Sequence, residues 1–489
     1  MNLPILSIIL LSPIVAMIII LFLKEEQHRL IKTVALIGSI IPLICSFYLV
    51  LAYDYTNAEF RWIEQWFELP DWGIQFLLGV DGLSIPLVLL TSAIIFSGVL
   101  VSQRLTVRVK EFFALLLFLV AGAYGVLLVL DLFFFFLFYE VAVIPMFLLV
   151  NIWGTGNKTY AANKLTLYLL AGSGLVLFGF FLLYFMSGVN SFNLLEIIQS
   201  GQFTPEMQKW FFILFLIGFG TLSATWPFHT WSPDGYASAP TSASMLHAAV
   251  LKTLGAYGIF RVAITLFPEG AKFWQILMLS FGVINILYAA FCVISQKDLK
   301  YIVGYSCVSH MGIVMLGIGT LTHSGFNGAM FQMFSHGIMT ALLFASVGFI
   351  YDAKKTRNIE NLGGLFKEMP KISMFFILAG LTALGLPGLS GFVAEFLVVY
   401  SAFSVSNVFG TLAIFGLVLS AIYMLRIFKA AIWGENTQAS SGGEVAVDLN
   451  WKTAIPHYFL FAFLLVLGIF PMILIQFISQ TSLNLLKGF

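Results

Sequence analysis

The stretch Leu132–Trp153, LFFFFLFYEVAVIPMFLLVNIW, decides the fold. As a helix it would extend about 33 Å at ~1.5 Å per residue, enough to cross the hydrocarbon of a bilayer. A single carboxylate, Glu140, interrupts the apolar run. Keeping that group ionised at bilayer depth is costly, so it has to face a partner or a wet cavity instead of lipid. Glu140 is therefore a candidate proton site; the alternative is a neutral carboxyl hydrogen-bonded to a neighbouring helix.

The same composition extends outward in both directions. The 489 residues are 60% hydrophobic and only 10% charged, which excludes a soluble globular protein of this length. Apolar runs long enough to span are centred near residues 13, 41, 92, 121, 142, 175, 219, 251, 284, 311, 338, 384, 418 and 467. They predict an all-α polytopic membrane protein with about fourteen transmembrane helices. The spans are expected to be helices and not strands, because apolar and polar residues do not alternate with regular turn signals. The run Leu3–Leu23 is too long and uninterrupted for a signal peptide and is expected to be the first span. Cys45, Cys292 and Cys307 lie singly in or beside apolar runs, with no spacing for zinc, haem or an iron–sulfur centre. The net charge of +1 gives no reason to expect nucleic acid as a partner.

Most of the 24 lysines and arginines fall in the connections after helices 1, 3, 5, 9, 11 and 13, whereas the opposite connections hold Arg61, Lys209, Lys272 and Lys487. By the positive-inside rule both termini then lie on the outer side. The longer outer segments, Asn57–Val80 with Trp62, Trp66 and Trp72, and Val189–Lys209, are expected to be interfacial pieces with aromatics at headgroup level. No glycine-rich phosphate loop and no large soluble segment is present, which assigns chemistry on NADH or ATP to another polypeptide.

Several spans carry polar groups. Helix 7 ends in SATWPFHTWSPDG (Ser223–Gly235), where Pro227 should break the hydrogen-bond ladder and leave carbonyls for His229, Thr230 and Ser232 to meet. Helix 12 reads ALGLPGLSGFVAEFLVVY (Ala383–Tyr400), with Pro387 at a similar break and Glu395 about two turns later. The breaks are five helices apart, suggesting two five-helix units, helices 4–8 and 9–13, in inverted orientation. The expected division is 1–110 for helices 1–3, 111–266 for the first unit, 267–435 for the second and 436–489 for helix 14. His247 and Lys252 on helix 8, His310 on helix 10 and His336 on helix 11 add titratable groups near mid-membrane that together could form a relay. Lys252 is the sharpest candidate, since a desolvated amine can give up and regain a proton. Arg261, near the helix end, is expected to snorkel.

DLFFFFLFYEVAVIPMFLL, PFHTW-SPDG, SAPTSASM, QKDLKYIVGYSCVSHMG, MFSHGIMTALLF, TRNIENLGGL and GLPGLSGFVAEF together resemble the M-subunit family of bacterial NADH-quinone oxidoreductases, the antiporter-like membrane subunits of respiratory complex I. The resemblance runs from DGLSIPLVLLT (Asp81–Thr91) to helix 13. It implies a proton path through buried charges, driven by electron transfer in other subunits that carry FMN, iron–sulfur clusters and quinone. No cofactor is expected on this chain. Implied partners are the L-, N-, K-, J-, A- and H-like membrane subunits and the lipid bilayer, in a bacterial or archaeal cell membrane or a thylakoid or organellar inner membrane. By motif, Glu140, Glu395, His310 and His336 match family proton-transfer positions, and Asp298 and Lys300 match the loop before helix 10.

Two departures stand out. Leu222, Ser223 and Ala224 occupy the place of the family's K-M-P, so the lysine expected to pair with Glu140 is missing. The helix 8 lysine of the family aligns with Thr253, while Lys252 sits one residue earlier, about 100° around the helix. Either Lys252 works from a shifted face or a local bulge restores the register. Lys252, or Lys164 at the start of helix 6, could take over the pairing with Glu140. Two rivals stay open: an Mrp-type cation/proton antiporter subunit and a non-conducting scaffold. A mid-membrane lysine favours protons over sodium, because a cationic amine cannot ligate sodium. The donor is NADH by resemblance, although ferredoxin or a reduced deazaflavin drives related complexes.

Overall fold

The computed structural model describes residues 3–56, 59–200, 203–435 and 447–489. Parts of both expected outer segments (57–58 and 201–202) and the first part of the expected final unit (436–446) lie outside the described residues. In chain order the main helices are α1 (Ile5–Phe22), α2 (His28–Ala52), α3 (Ser84–Val101), α4 (Val109–Leu128), α5 (Leu132–Trp153), α6 (Lys158–Met186), α7 (Pro205–Leu222 and Trp231–Ser238) and α8 (241–266). They continue with α9 (Gln275–Ser295), α10 (Leu299–Gly319), α11 (His323–Lys354), α12 (Pro370–Ala383 and Ser390–Val405), α13 (Asn407–Ile432), α14 (Trp451–Ile469) and α15 (Met472–Leu486). Among the described residues, 11 helices are each long and apolar enough to cross a membrane. The remaining expected spans, α7, α8 and α12, are assembled from shorter pieces.

Two expectations are corrected. The last apolar run is two helices, α14 and α15, because Pro471 has no amide hydrogen to continue the ladder. α15 then packs on the start of α11, where Ser482 donates to Asn327 at 2.6 Å and Ser479 lies 3.0 Å from the His323 ring. The outer segment after α2 is not merely interfacial coil but an antiparallel hairpin, β1 (Arg61–Leu69) and β2 (Ile74–Val80). Its turn, Pro70–Trp72, closes on Gly73 in the left-handed region at φ +61°. The hairpin has a capping job: Glu64 accepts from the first-turn amides of Leu6 and Ser7 at 2.8 and 3.0 Å, placing a carboxylate at the positive end of α1. Trp66 adds a bond from its indole nitrogen to the Ser7 hydroxyl, at 2.7 Å.

α5 and α10 begin in matching ways. Asp131 caps α5 by accepting from Phe133 and Phe134, and the chain beside it pairs with Asn193. Asp298 caps α10 by accepting from Lys300, and the chain beside it pairs with Asn358. In both places the first amide of the helix, Leu132 or Leu299, donates to a carbonyl of the returning segment, Phe192 or Arg357, at 2.8 and 2.9 Å.

The core is organised around α11, whose 32 residues extend about 48 Å. Its most apolar window is 100% buried, enclosed by α3, α8, α10, α12, α14 and α15. Arg261 departs from the snorkelling expectation. It is 5% exposed and forms a two-pronged pair with Asp81 in the turn before α3, at 2.9 and 2.6 Å, with Tyr257 at 3.1 Å. A long stem cannot reach water from there, and a guanidinium fits a carboxylate in this fork geometry. Removing one partner strands the other charge. Arg261→Met is therefore expected to destabilise the folded chain by about 3–5 kcal/mol, and Asp81→Leu combined with it to recover most of the loss. Thermal unfolding of the detergent-purified protein measures both.

Candidate functional site

The site starts from the interruption of α7. After Leu222 the chain leaves the helix through Ala224, at φ +55°, and passes Pro227 before restarting at Trp231. The free backbone groups are met chiefly by Asn285 of α9, which accepts from the Trp226 amide at 2.6 Å and donates to the Ala224 carbonyl at 3.2 Å. Of the residues expected to meet these groups, Thr230 turns to the Tyr168 hydroxyl at 3.1 Å, and His229 stands beside the Pro227 backbone and edge-on to Tyr288 at 5.0 Å. Trp231 ties the two halves together by donating to the Thr221 carbonyl at 3.0 Å. Leu222, Ser223 and Ala224 are all buried.

α8 brings in Lys252. A π-helical turn, His247–Leu251, stands directly before it. Such a bulge is the device that turns a shifted residue onto a different face. Lys252 is fully buried, its amine has no hydrogen-bond partner, and Nζ lies 5.6 Å from the centre of the Tyr236 ring. Thr253 bonds only back to its own helix, at the Val250 carbonyl, 2.7 Å away. His247, one turn earlier, is packed between Trp231 and Tyr236, with ring centres 5.1 and 5.2 Å away. Lys252 is within electrostatic reach of His229, His247, His310 and His336.

The far end is built by α10, α11 and α12. His310 and His336 stack at 5.5 Å, Gln332 lies 3.3 Å from Nδ1 of His310, and Glu395 lies 3.6 Å from the same atom. Glu395 is 3% exposed. The interruption of α12 places it: Gly385, at φ +66°, leaves room for the Glu395 carboxylate, which a Cβ there would strike. Pro387 itself is exposed on the flank of the chain, as is Pro227.

Other sequence candidates fall elsewhere. Glu140 is half-buried on α5 with Ser173 of α6 beside its carboxyl group, and among the described residues no lysine or arginine lies within ion-pair distance. Neither proposed substitute reaches it. Lys164 binds Asp234 at 2.8 Å, an aspartate that also accepts from Tyr301, and Lys252 is unpaired. Asp298 and Lys300 brace the corner between α7 and α8. Lys300 donates to the Ala239 carbonyl at 2.6 Å, and Asp298 holds Arg357, which donates to the Ala237 carbonyl at 2.8 Å. Asn285, Gln332 and Asp234 escaped the sequence reading. Only Asp234, within SPDG, carried a signal, as the lone acid in a polar interruption. Among the described residues no group of three or more histidines, cysteines and carboxylates is placed to hold a metal ion.

Residues 130–422 match the protein family described as NADH:quinone oxidoreductase/Mrp antiporter, TM. The chain belongs to this family. Within it, NADH-quinone oxidoreductase subunit M of Rickettsia prowazekii is 35% identical over 443 residues, 89% of this chain and 90% of that one. F(420)H(2) dehydrogenase subunit M of Methanosarcina mazei is 35% identical over 441 residues, 88% of each. A chain of respiratory complex I from Thermus thermophilus superposes with a TM-score of 0.89 at 28% identity, over 98% of this chain and 99% of that one. A chain of the Mrp complex from Dietzia sp., 20% identical, shares the fold with a TM-score of 0.86. This family member is thus a multi-pass, antiporter-like membrane subunit of the complex I type. Because Asn285 meets both the Trp226 amide and the Ala224 carbonyl within the α7 turn, Asn285→Leu is expected to cost about 1–3 kcal/mol for the stranded amide and carbonyl. A lowered unfolding temperature with unchanged helix content by circular dichroism is the check.

Proposed function

We propose that this chain carries protons across the membrane arm of a complex I-type NADH:quinone oxidoreductase, along Lys252, the histidines His247, His310 and His336, and Glu395. His229 and Lys164 extend the line on the α7 side. The observation that carries the reading is the bare amine of Lys252, fully buried and without a counter-ion. A permanent charge there is strongly unfavourable, so the group is kept for what it does when it gains or loses a proton. The flanking titratable groups supply places for that proton to go. Glu140, with no lysine of its own chain, marks where a charge on a neighbouring subunit would join the line.

In this reading the redox groups, FMN, iron–sulfur clusters and quinone, sit on other subunits, and the partners are the L-, N-, K-, J-, A- and H-like membrane subunits. Both termini face outward, and residues 111–266 and 267–435 form two inverted units. The matching starts of α5 and α10 support that division, since Asp131 with Asn193 and Asp298 with Asn358 repeat one arrangement. A non-conducting scaffold has one observation in its favour, the buried Leu222 where the family's lysine would stand.

Substitution in the assembled complex separates the two. In proteoliposomes, Lys252→Met and Glu395→Gln are each expected to lower redox-driven proton uptake by about tenfold or more, with the complex still assembled. Pumping at the unaltered stoichiometry in both variants would leave the scaffold. Glu140→Gln reports separately on whether the α5 carboxylate lies on the path. Sodium-dependent exchange by a preparation without redox subunits would instead favour an Mrp-type role.

A further inference from the structure

The motifs name Lys252 and the histidine pair but not what lies between them. Cys307 is one turn before His310 on α10, and Thr340 is one turn after His336 on α11; both are buried. The Thr340 hydroxyl is 3.1 Å from Nδ1 of His336 and 3.6 Å from the Cys307 sulfur. A threonine or serine inside a helix ordinarily bonds back to the carbonyl four residues earlier. Thr91, Ser92, Thr221 and Thr382 all do so. Thr340 instead has an imidazole and a thiol as its partners. The unpartnered amine of Lys252 is within electrostatic reach of the Cys307 sulfur.

We propose that Cys307 and Thr340 relay protons between Lys252 and the His336–His310 pair. The proposal rests on the proton-conducting reading above and names a link that reading lacks. No hydrogen bond joins Nζ to Sγ, and the proposed relay includes one water between them. An N–H bond of the Lys252 ammonium breaks and its proton passes through the water to a lone pair of Sγ. The S–H proton moves to Oγ1 of Thr340, whose own O–H proton moves to Nδ1 of His336. One proton leaves the amine and one arrives on the imidazole. The thiol and hydroxyl end with as many protons as they began with, and no electrons are exchanged. The same steps run in reverse. A plain packing role for both residues makes the opposite prediction for the variants below.

The test uses the intact complex in proteoliposomes, with Lys252→Met alongside. Thr340→Val removes the exchangeable proton at nearly constant volume and Cys307→Ala removes it together with the sulfur atom, whereas Thr340→Ser and Cys307→Ser keep an exchangeable proton. The first two are expected to lower redox-driven proton uptake by about tenfold and to raise its solvent deuterium isotope effect. The serine variants are expected to restore most of the uptake. Wild-type uptake in Thr340→Val and Cys307→Ala, with Lys252→Met inactive, overturns the relay and leaves the conduction path standing. Equal losses in the valine, alanine and serine variants also overturn it, by showing that volume and not the proton matters. Wild-type uptake in Lys252→Met overturns the relay, and the same result in Glu395→Gln as well overturns the conduction reading itself.

Discussion

Hydrocarbon forms no hydrogen bonds, so every interruption of a spanning helix has to be repaired from inside the chain. Asn285 does this for α7 by standing in for backbone on both sides of the turn. In α12 the turn closes on itself, with Leu386 donating to the Leu381 carbonyl and Gly385 supplying the left-handed corner. Asp131 and Asp298 do the same for the starts of α5 and α10. Each unmet group would cost about 1–3 kcal/mol, so together these repairs are comparable with the whole net stability of an ordinary domain. They also decide where two of the candidate groups stand, because His229 follows one break and Glu395 the other.

The sequence reading located the spans because long apolar runs and proline interruptions are local signals. It could not find the pairing of Arg261 with Asp81, which are 180 positions apart in the chain. It missed the hairpin because its register shifts between Arg61 and Glu64 and between Gln65 and Phe67, which blurs the alternation that marks a strand. Thr340 was invisible for a related reason: on paper it is one more small residue on an apolar helix, and only its neighbours make it unusual. Motif resemblance pointed to Lys252, the histidines and Glu395, yet could not say that α11 rather than α5 is the element around which they gather. Glu140 drew the eye as a lone carboxylate, and the structure places it at the edge of the chain.

The family matched by residues 130–422 includes both redox-linked and antiporter assemblies, and the same fold appears in the Thermus thermophilus complex I chain and the Dietzia Mrp chain. Within that shared frame Leu222 ends the first piece of α7 with a buried apolar side chain, and Lys164 is paired with Asp234.

The enclosure of α11 also bears on lipids. Helices α1, α2, α5, α6, α13 and α14 present more than half of their apolar windows to the outside, whereas α11 presents none of its own. Changes in acyl-chain length or bilayer thickness therefore press on the outer helices first. The stacked histidines are insulated from membrane composition, and only a shift in helix packing can carry such a change inward.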